Sequence, residues 1–167
     1  MKITYLTVFI FLSQLGFSQN FIYKGDKQYL STQTWMFALA KSNLWGMELN
    51  VSVAKAGNGG YLMLSVGAPQ GESISNSVFI ILNNGESITL SHRVVNDYLD
   101  ERSQVLYSIT QPQFEKLKSY SISKIRFFVK GQSFRMGGSH SASNVRVGRE
   151  INTYDVGWDT AKEISEL

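Results

Sequence analysis

Met47-Glu48-Leu49-Asn50-Val51-Ser52-Val53-Ala54 is the stretch that decides the fold class. Met47, Leu49, Val51 and Val53 are apolar, and the residues between them are polar or small. That period of two belongs to a strand with one face on a core and the other in water. The dominant period is 2, not the 3.6 of an amphipathic helix. Gly57-Asn58-Gly59-Gly60 then supplies a turn, and Leu62, Leu64 and Val66 resume the alternation, so the segment reads as a hairpin. On the other side, Trp35, Phe37 and Leu39 alternate with Thr34, Met36 and Ala38 in the same way.

The pattern recurs along the chain. Val78 to Leu82 is apolar at consecutive positions, which predicts a central strand covered on both faces. Asn84-Gly85 predicts a type I′ turn, with Ser87–Leu90 returning as the partner strand. Val105–Ile109, Ile125–Val129, Phe134–Met136 and Val145–Val147 are further strand candidates. Eight or nine short strands predict a mainly β chain on the border of α+β, built as an antiparallel β-sandwich or curled sheet. Two helices interrupt it. Thr110-Gln111-Pro112-Gln113 is a capping box opening a helix over about 111–120, whose buried stripe would be Phe114 and Leu117. A short C-terminal helix is expected over about 160–167, with Ala161, Ile164 and Leu167 on one side. The connection from Val105–Ile109 through the first helix to Ile125–Val129 permits those two strands to be parallel neighbours without requiring it.

Residues 1–18 have the form of an export signal. Lys2 is the positive start, Ile3 to Leu12 are apolar apart from Thr4 and Thr7, and Gly16 and Ser18 precede a cleavage position before Gln19. The remainder, 19–167, is the length of one domain and forms a single β-rich unit. A hydrophobic fraction of 43% with 17% charged residues excludes intrinsic disorder. The absence of cysteine excludes disulfide scaffolds, thiolate zinc sites and thiol catalysis. Short strands and a chain ending in a helix argue against an outer-membrane barrel, so nothing after the leader is expected to span a membrane.

Charge is unevenly placed around a net +3. Lys116 to Arg149 holds eight cations and no acid, whereas Glu150 onward holds five acids against Lys162. With Ile125, Phe127 and Val129 inward, Arg126 and Lys130 share the outer face. Arg135 lies between Phe134 and Met136, and Arg146 between Val145 and Val147. These four cations form one anion-facing stripe if their strands are neighbours. Trp45 and Trp158, each beside a glycine at the end of an element, are candidate ligand contacts, whereas Trp35 fits the core. His92 precedes a polar segment containing Asp97, Asp100 and Glu101, which offers an acid–base or carboxylate-pair constellation. Gly137 to Ser143, around His140, reads as a connecting loop. No cofactor or metal motif is present, and the basic strands lack the stacking aromatics of nucleic-acid binders. The functional expectation is an exported binding module, periplasmic or extracellular, that contacts an anionic glycan or an envelope protein. The alternatives are a small envelope-polysaccharide hydrolase and a carrier with an apolar ligand inside the sheet.

Overall fold

Alternation of this kind, carried by many short segments, buries one continuous apolar surface by curling a sheet upon itself. The computed structural model describes residues 19–40, 45–131, 138–147, 154–155 and 157–167. Its elements in chain order are β1 (Asn20–Lys24), β2 (Lys27–Ser31), β3 (Trp35–Leu39), β4 (Trp45–Ala56), β5 (Gly59–Gly67), β6 (Ser73–Leu82), β7 (Ser87–Leu90), β8 (Arg93–Leu99) and β9 (Arg102–Ile109). Helix α1 (Gln111–Ser119) follows, then β10 (Ile122–Lys130), β11 (Gly138–Ser143), β12 (Arg146–Val147), β13 (Tyr154–Asp155) and α2 (Thr160–Ser165). The main sheet runs β7-β6-β10-β11-β3-β4-β5-β9-β8, with the β1–β2 hairpin attached to β4 and β12–β13 forming a separate ladder. Mainly β with short helices is therefore the architecture, and the sheet is curled almost to a barrel. Residues 1–18 and Phe134–Met136 lie outside the described residues.

The inward face carries the core. Trp35 and Phe37 of β3, Leu49, Val51 and Val53 of β4, Leu62, Leu64 and Val66 of β5, and Val105 and Tyr107 of β9 are fully buried together. Ile125, Phe127 and Val129 of β10 join the same cluster, and Phe114, Leu117 and Ile164 of the two helices close its end. The helix starts where its cap is satisfied: the Thr110 backbone N–H donates to Gln113 Oε1 at 2.9 Å. At the start of α2, Asp159 accepts from the Lys162 backbone N–H at 3.2 Å. Glu163 reaches back to accept from the Trp35 indole N–H at 3.0 Å, which satisfies the polar atom of the largest core side chain.

The curl closes without a ladder. Where β6 approaches β9 and β8, the Ile74 N–H donates to Ser103 Oγ at 3.0 Å, and the Ile74 carbonyl accepts from Arg93 Nη1 at 3.3 Å. Two side chains thus satisfy backbone groups that a neighbouring strand would otherwise satisfy.

Several sequence expectations are corrected. The run Val78–Leu82 is covered on one face only: Val78, Ile80 and Leu82 are buried, but Phe79 is exposed and Ile81 half-buried. Asn84-Gly85 is not a type I′ turn, because only Gly85 has positive φ (86°). The Gly85 N–H donates to the Leu82 carbonyl at 3.1 Å and the Leu82 N–H to the Glu86 carbonyl at 2.9 Å, giving a three-residue connection. A turn of that kind does appear at Asp100-Glu101, where both residues have positive φ (51° and 58°) between paired Leu99 and Arg102. The parallel pairing left open for β9 and β10 does not occur: they are not neighbours, and every ladder among the described residues is antiparallel. Gly138–Ser143 is a strand, not a loop. Its small residues let it lie between β10 and β3, with Ala142 buried against the core. The strand count among the described residues also exceeds eight or nine, because β1, β2 and β8 carry too few buried side chains to announce themselves.

The β1–β2 hairpin lies on the outer face of the sheet. There Ile22 packs with Ala54 and Leu106 in a small second cluster, bordered by Tyr29, Tyr61, Met63 and Val94.

Candidate functional site: the outer face of β10

Alternation on β10 sends Ile125, Phe127 and Val129 inward and leaves Arg126, Phe128 and Lys130 exposed, with Lys124 half-buried beside them. At about 3.4 Å per residue, the cations from Lys124 to Lys130 span about 20 Å along one strand. Both neighbours contribute to the same face. On β6, Ile81 lies opposite Lys124, Phe79 opposite Arg126, Ser75 opposite Phe128 and Ser73 opposite Lys130. On β11, Ser143, Ser141 and Ser139 lie opposite Lys124, Arg126 and Phe128. Three cations, two aromatic rings and a ladder of hydroxyls therefore share one face. Phe79 and Phe128 are 38% and 36% exposed, which places large apolar rings in contact with water.

Lys124, Arg126 and Lys130 make no ion pair among the described residues. Among the described residues, the ion pairs are Lys116–Glu86 at 2.7 Å and Lys118–Glu115 at 3.4 Å, both involving α1. Of the acidic C-terminal segment, Asp159 caps α2, and Glu163 bonds Trp35 and Gln33. One acid lies near the end of the strip, because a Cβ on Gly131 would overlap the buried carboxylate of Glu72. Elementary electrostatics makes each exposed cation a weak attractor, worth about 1 kcal/mol or less. Recognition here requires a ligand that engages several at once.

The remaining sequence candidates distribute as follows. Arg126 and Lys130 share this face as expected. Arg135 lies outside the described residues. Arg146 sits on β12, in register opposite Asp155 of β13 and off the main sheet, because the chain leaves the sheet after β11. The backbone of Trp45 pairs with Gly67. Trp158 is half-buried against the core, and its backbone is held by Asn144, whose Oδ1 accepts from the Trp158 N–H at 2.8 Å. His92 and the acids do not converge. His92 lines two shallow surface hollows that contain none of Asp97, Asp100 and Glu101. Asp97 lines a different groove, on the outer sheet face between β1 and β8. His140 turns inward and lies against the Phe127 ring, centroids 5.6 Å apart.

Sequence reasoning missed Phe79, Phe128 and the serines as parts of one face. Ser139, Ser141 and Ser143 do alternate with His140 and Ala142, so a period of two was present in hydroxyls where it was sought in apolar residues. No family model matches the chain, and neither a curated protein nor a solved structure matches it.

Proposed function

We propose that the chain is an exported binding module of the cell envelope, periplasmic or extracellular, whose β10 face holds an anionic glycan. The observation that carries this reading is the alternation of Lys124, Arg126 and Lys130 with Phe128 on one exposed strand, beside Phe79 and the β11 serines. Carboxylate or sulfate groups spaced along a polysaccharide can meet successive cations. Sugar rings can lie on the phenyl faces, and serine hydroxyls can exchange hydrogen bonds with sugar hydroxyls. Export rests on the leader pattern of residues 1–18. The polarity of the sheet, apolar inward and Ser, Lys and Arg outward on β10 and β11, supports a chain that is not embedded in lipid after processing.

The test is retention on an immobilised uronate or sulfated polysaccharide, eluted by a salt gradient. The wild-type protein is expected to elute above physiological salt, and Arg126→Gln/Lys130→Gln to elute well before it. Phe128→Ala should weaken retention without shifting its salt slope, because it removes stacking and not charge. Elution of the wild type below physiological salt refutes the reading. Loss of residues 1–18 from the exported product, read by mass spectrometry, tests the export step separately.

A second reading, a carrier of a small apolar ligand, has one supporting observation. A groove of about 400 Å³ on the outer sheet face is lined by Phe21, Tyr23, Met63, Val95, Leu99 and Leu106. Its volume is in the range of small-molecule sites, although the barrel interior itself is filled by side chains. Saturable enhancement of an apolar fluorescent probe, abolished by Leu99→Asp, would favour it.

A further inference from the structure

A second hollow, sharing no residue with the β10 face, lies where the β1–β2 hairpin meets the β4–β5 turn and the start of α1. It encloses about 410 Å³. Lys24, Asn58, Tyr61, His92, Ser108 and Thr110 are among the residues lining it, and no acid is. Asp26 sits at the tip of the same hairpin but outside the lining.

Its hydrogen-bonding groups are arranged around one oxygen. Lys24 Nζ donates to the Tyr61 hydroxyl oxygen at 3.0 Å and sits 5.0 Å from the Tyr61 ring centroid. Tyr29 approaches Tyr61 edge-on, with centroids 5.1 Å apart. Tyr61 thus accepts from Lys24. The Lys24 bond, reinforced by the charges of Lys24 and Lys27, holds its phenol below the usual range against the effect of burial. A phenol polarised in this way is a stronger donor. Among the described residues, no acceptor takes the Tyr61 hydroxyl proton, and Lys24 uses one of its three protons. The hollow therefore has spare donors and positive charge but no carboxylate to absorb either.

We infer that this hollow binds a compact oxyanionic group, held by Lys24 as a charge and by the Tyr61 hydroxyl and a His92 ring N–H as directed donors. Phosphate, sulfate and carboxylate share that chemistry. The site goes beyond the glycan face, since it recognises a single charged group and not a spaced array.

The experiment is a titration of the purified protein with inorganic phosphate, sulfate and acetate at constant ionic strength, followed by amide chemical shifts. Saturable shifts are expected at Gly59, Gly60, Tyr61, Ser108 and Gln111, and the ion that saturates at the lowest concentration names the group. Lys24→Met should weaken binding about tenfold, the scale of one charge-assisted bond. His92→Gln and Tyr61→Phe should each weaken it less. The Arg126→Gln/Lys130→Gln protein should bind unchanged, which separates this site from the β10 face. Failure of all three ions to saturate, or Lys24→Met binding as the wild type does, overturns the inference. Thermal unfolding of each variant shows whether it remains folded.

Discussion

Replacing Ser103 by alanine removes one oxygen from the place where the curled sheet closes. Ser103 and Ile74 are both fully buried, and the Ser103 hydroxyl is the acceptor for the Ile74 N–H at 3.0 Å. Alanine leaves almost no cavity, so the cost is that of a buried donor without a partner, about 2 kcal/mol. For a domain whose total stability is about 5–15 kcal/mol, that is a large fraction. At about 3 °C per kcal/mol for a chain of this size, the melting temperature should fall by about 6 °C. Urea unfolding should show a lower midpoint with an unchanged slope, since the surface exposed on unfolding is the same. Amide exchange at Ile74 should accelerate more than at Leu64, because the loss is local to the closure. Ser103→Thr keeps the acceptor and serves as the control. Arg93→Met removes the other bond to Ile74, and its cost should not add independently to that of Ser103→Ala, because both serve one residue. A loss for Ser103→Ala below about 0.5 kcal/mol, with Ile74 exchange unchanged, would refute side-chain closure of the curl.

Three further outcomes follow from features described above. Asp100→Asn/Glu101→Gly should stabilise the protein by about 1 kcal/mol in chemical denaturation, since it places residues suited to positive φ in the β8–β9 turn. Burial pushes the Tyr107 phenol up to about 12, with Arg93 opposing. Because the folded value is raised, the stabilisation is complete below about pH 10 and is lost as pH rises toward 12, by about 2–3 kcal/mol; unfolding free energies of Tyr107→Phe across that window should fall less steeply than those of the wild type. Glu163→Ala should cost about 2 kcal/mol by stranding the buried Trp35 indole N–H, and should shift its indole NMR resonance, whereas Glu163→Gln should retain most of the stability.

The β4–β5 hairpin was legible because two signals agreed: alternation on both strands and a glycine-rich turn between them. The turn needs those glycines, since a Cβ on Gly60 would collide with the Ala54 carbonyl. Helix α1 was legible for the same reason, its cap and its Phe114–Leu117 stripe pointing to one start and one face. By contrast, β11 has almost no apolar content. It is a strand because β10 and β3 each offer it a backbone edge, and an edge is a property of the assembled sheet. Strand β8 is similar, held by β9 while most of its side chains face water. At the candidate site, alternation on β10 put Arg126 and Lys130 on one side. The placement of Phe79 beside Arg126 depends on a register between strands 47 residues apart in sequence. The Lys24–Tyr61 bond, across 37 residues, was beyond reach for the same reason.

Strand β11 joins β3 in register at Ala142 and Leu39, and the indole of Trp35 finds its acceptor 128 residues downstream in α2. Strand β3 therefore acquires its last neighbours only after residues 138–163 have been synthesised. Such distant pairings impose slow ring closure, and until then β3 keeps an unpaired margin able to recruit another nascent chain. A product shortened before Gly138 should accumulate as aggregate, while one lacking α2 alone would still pair its strands but with an unsealed end.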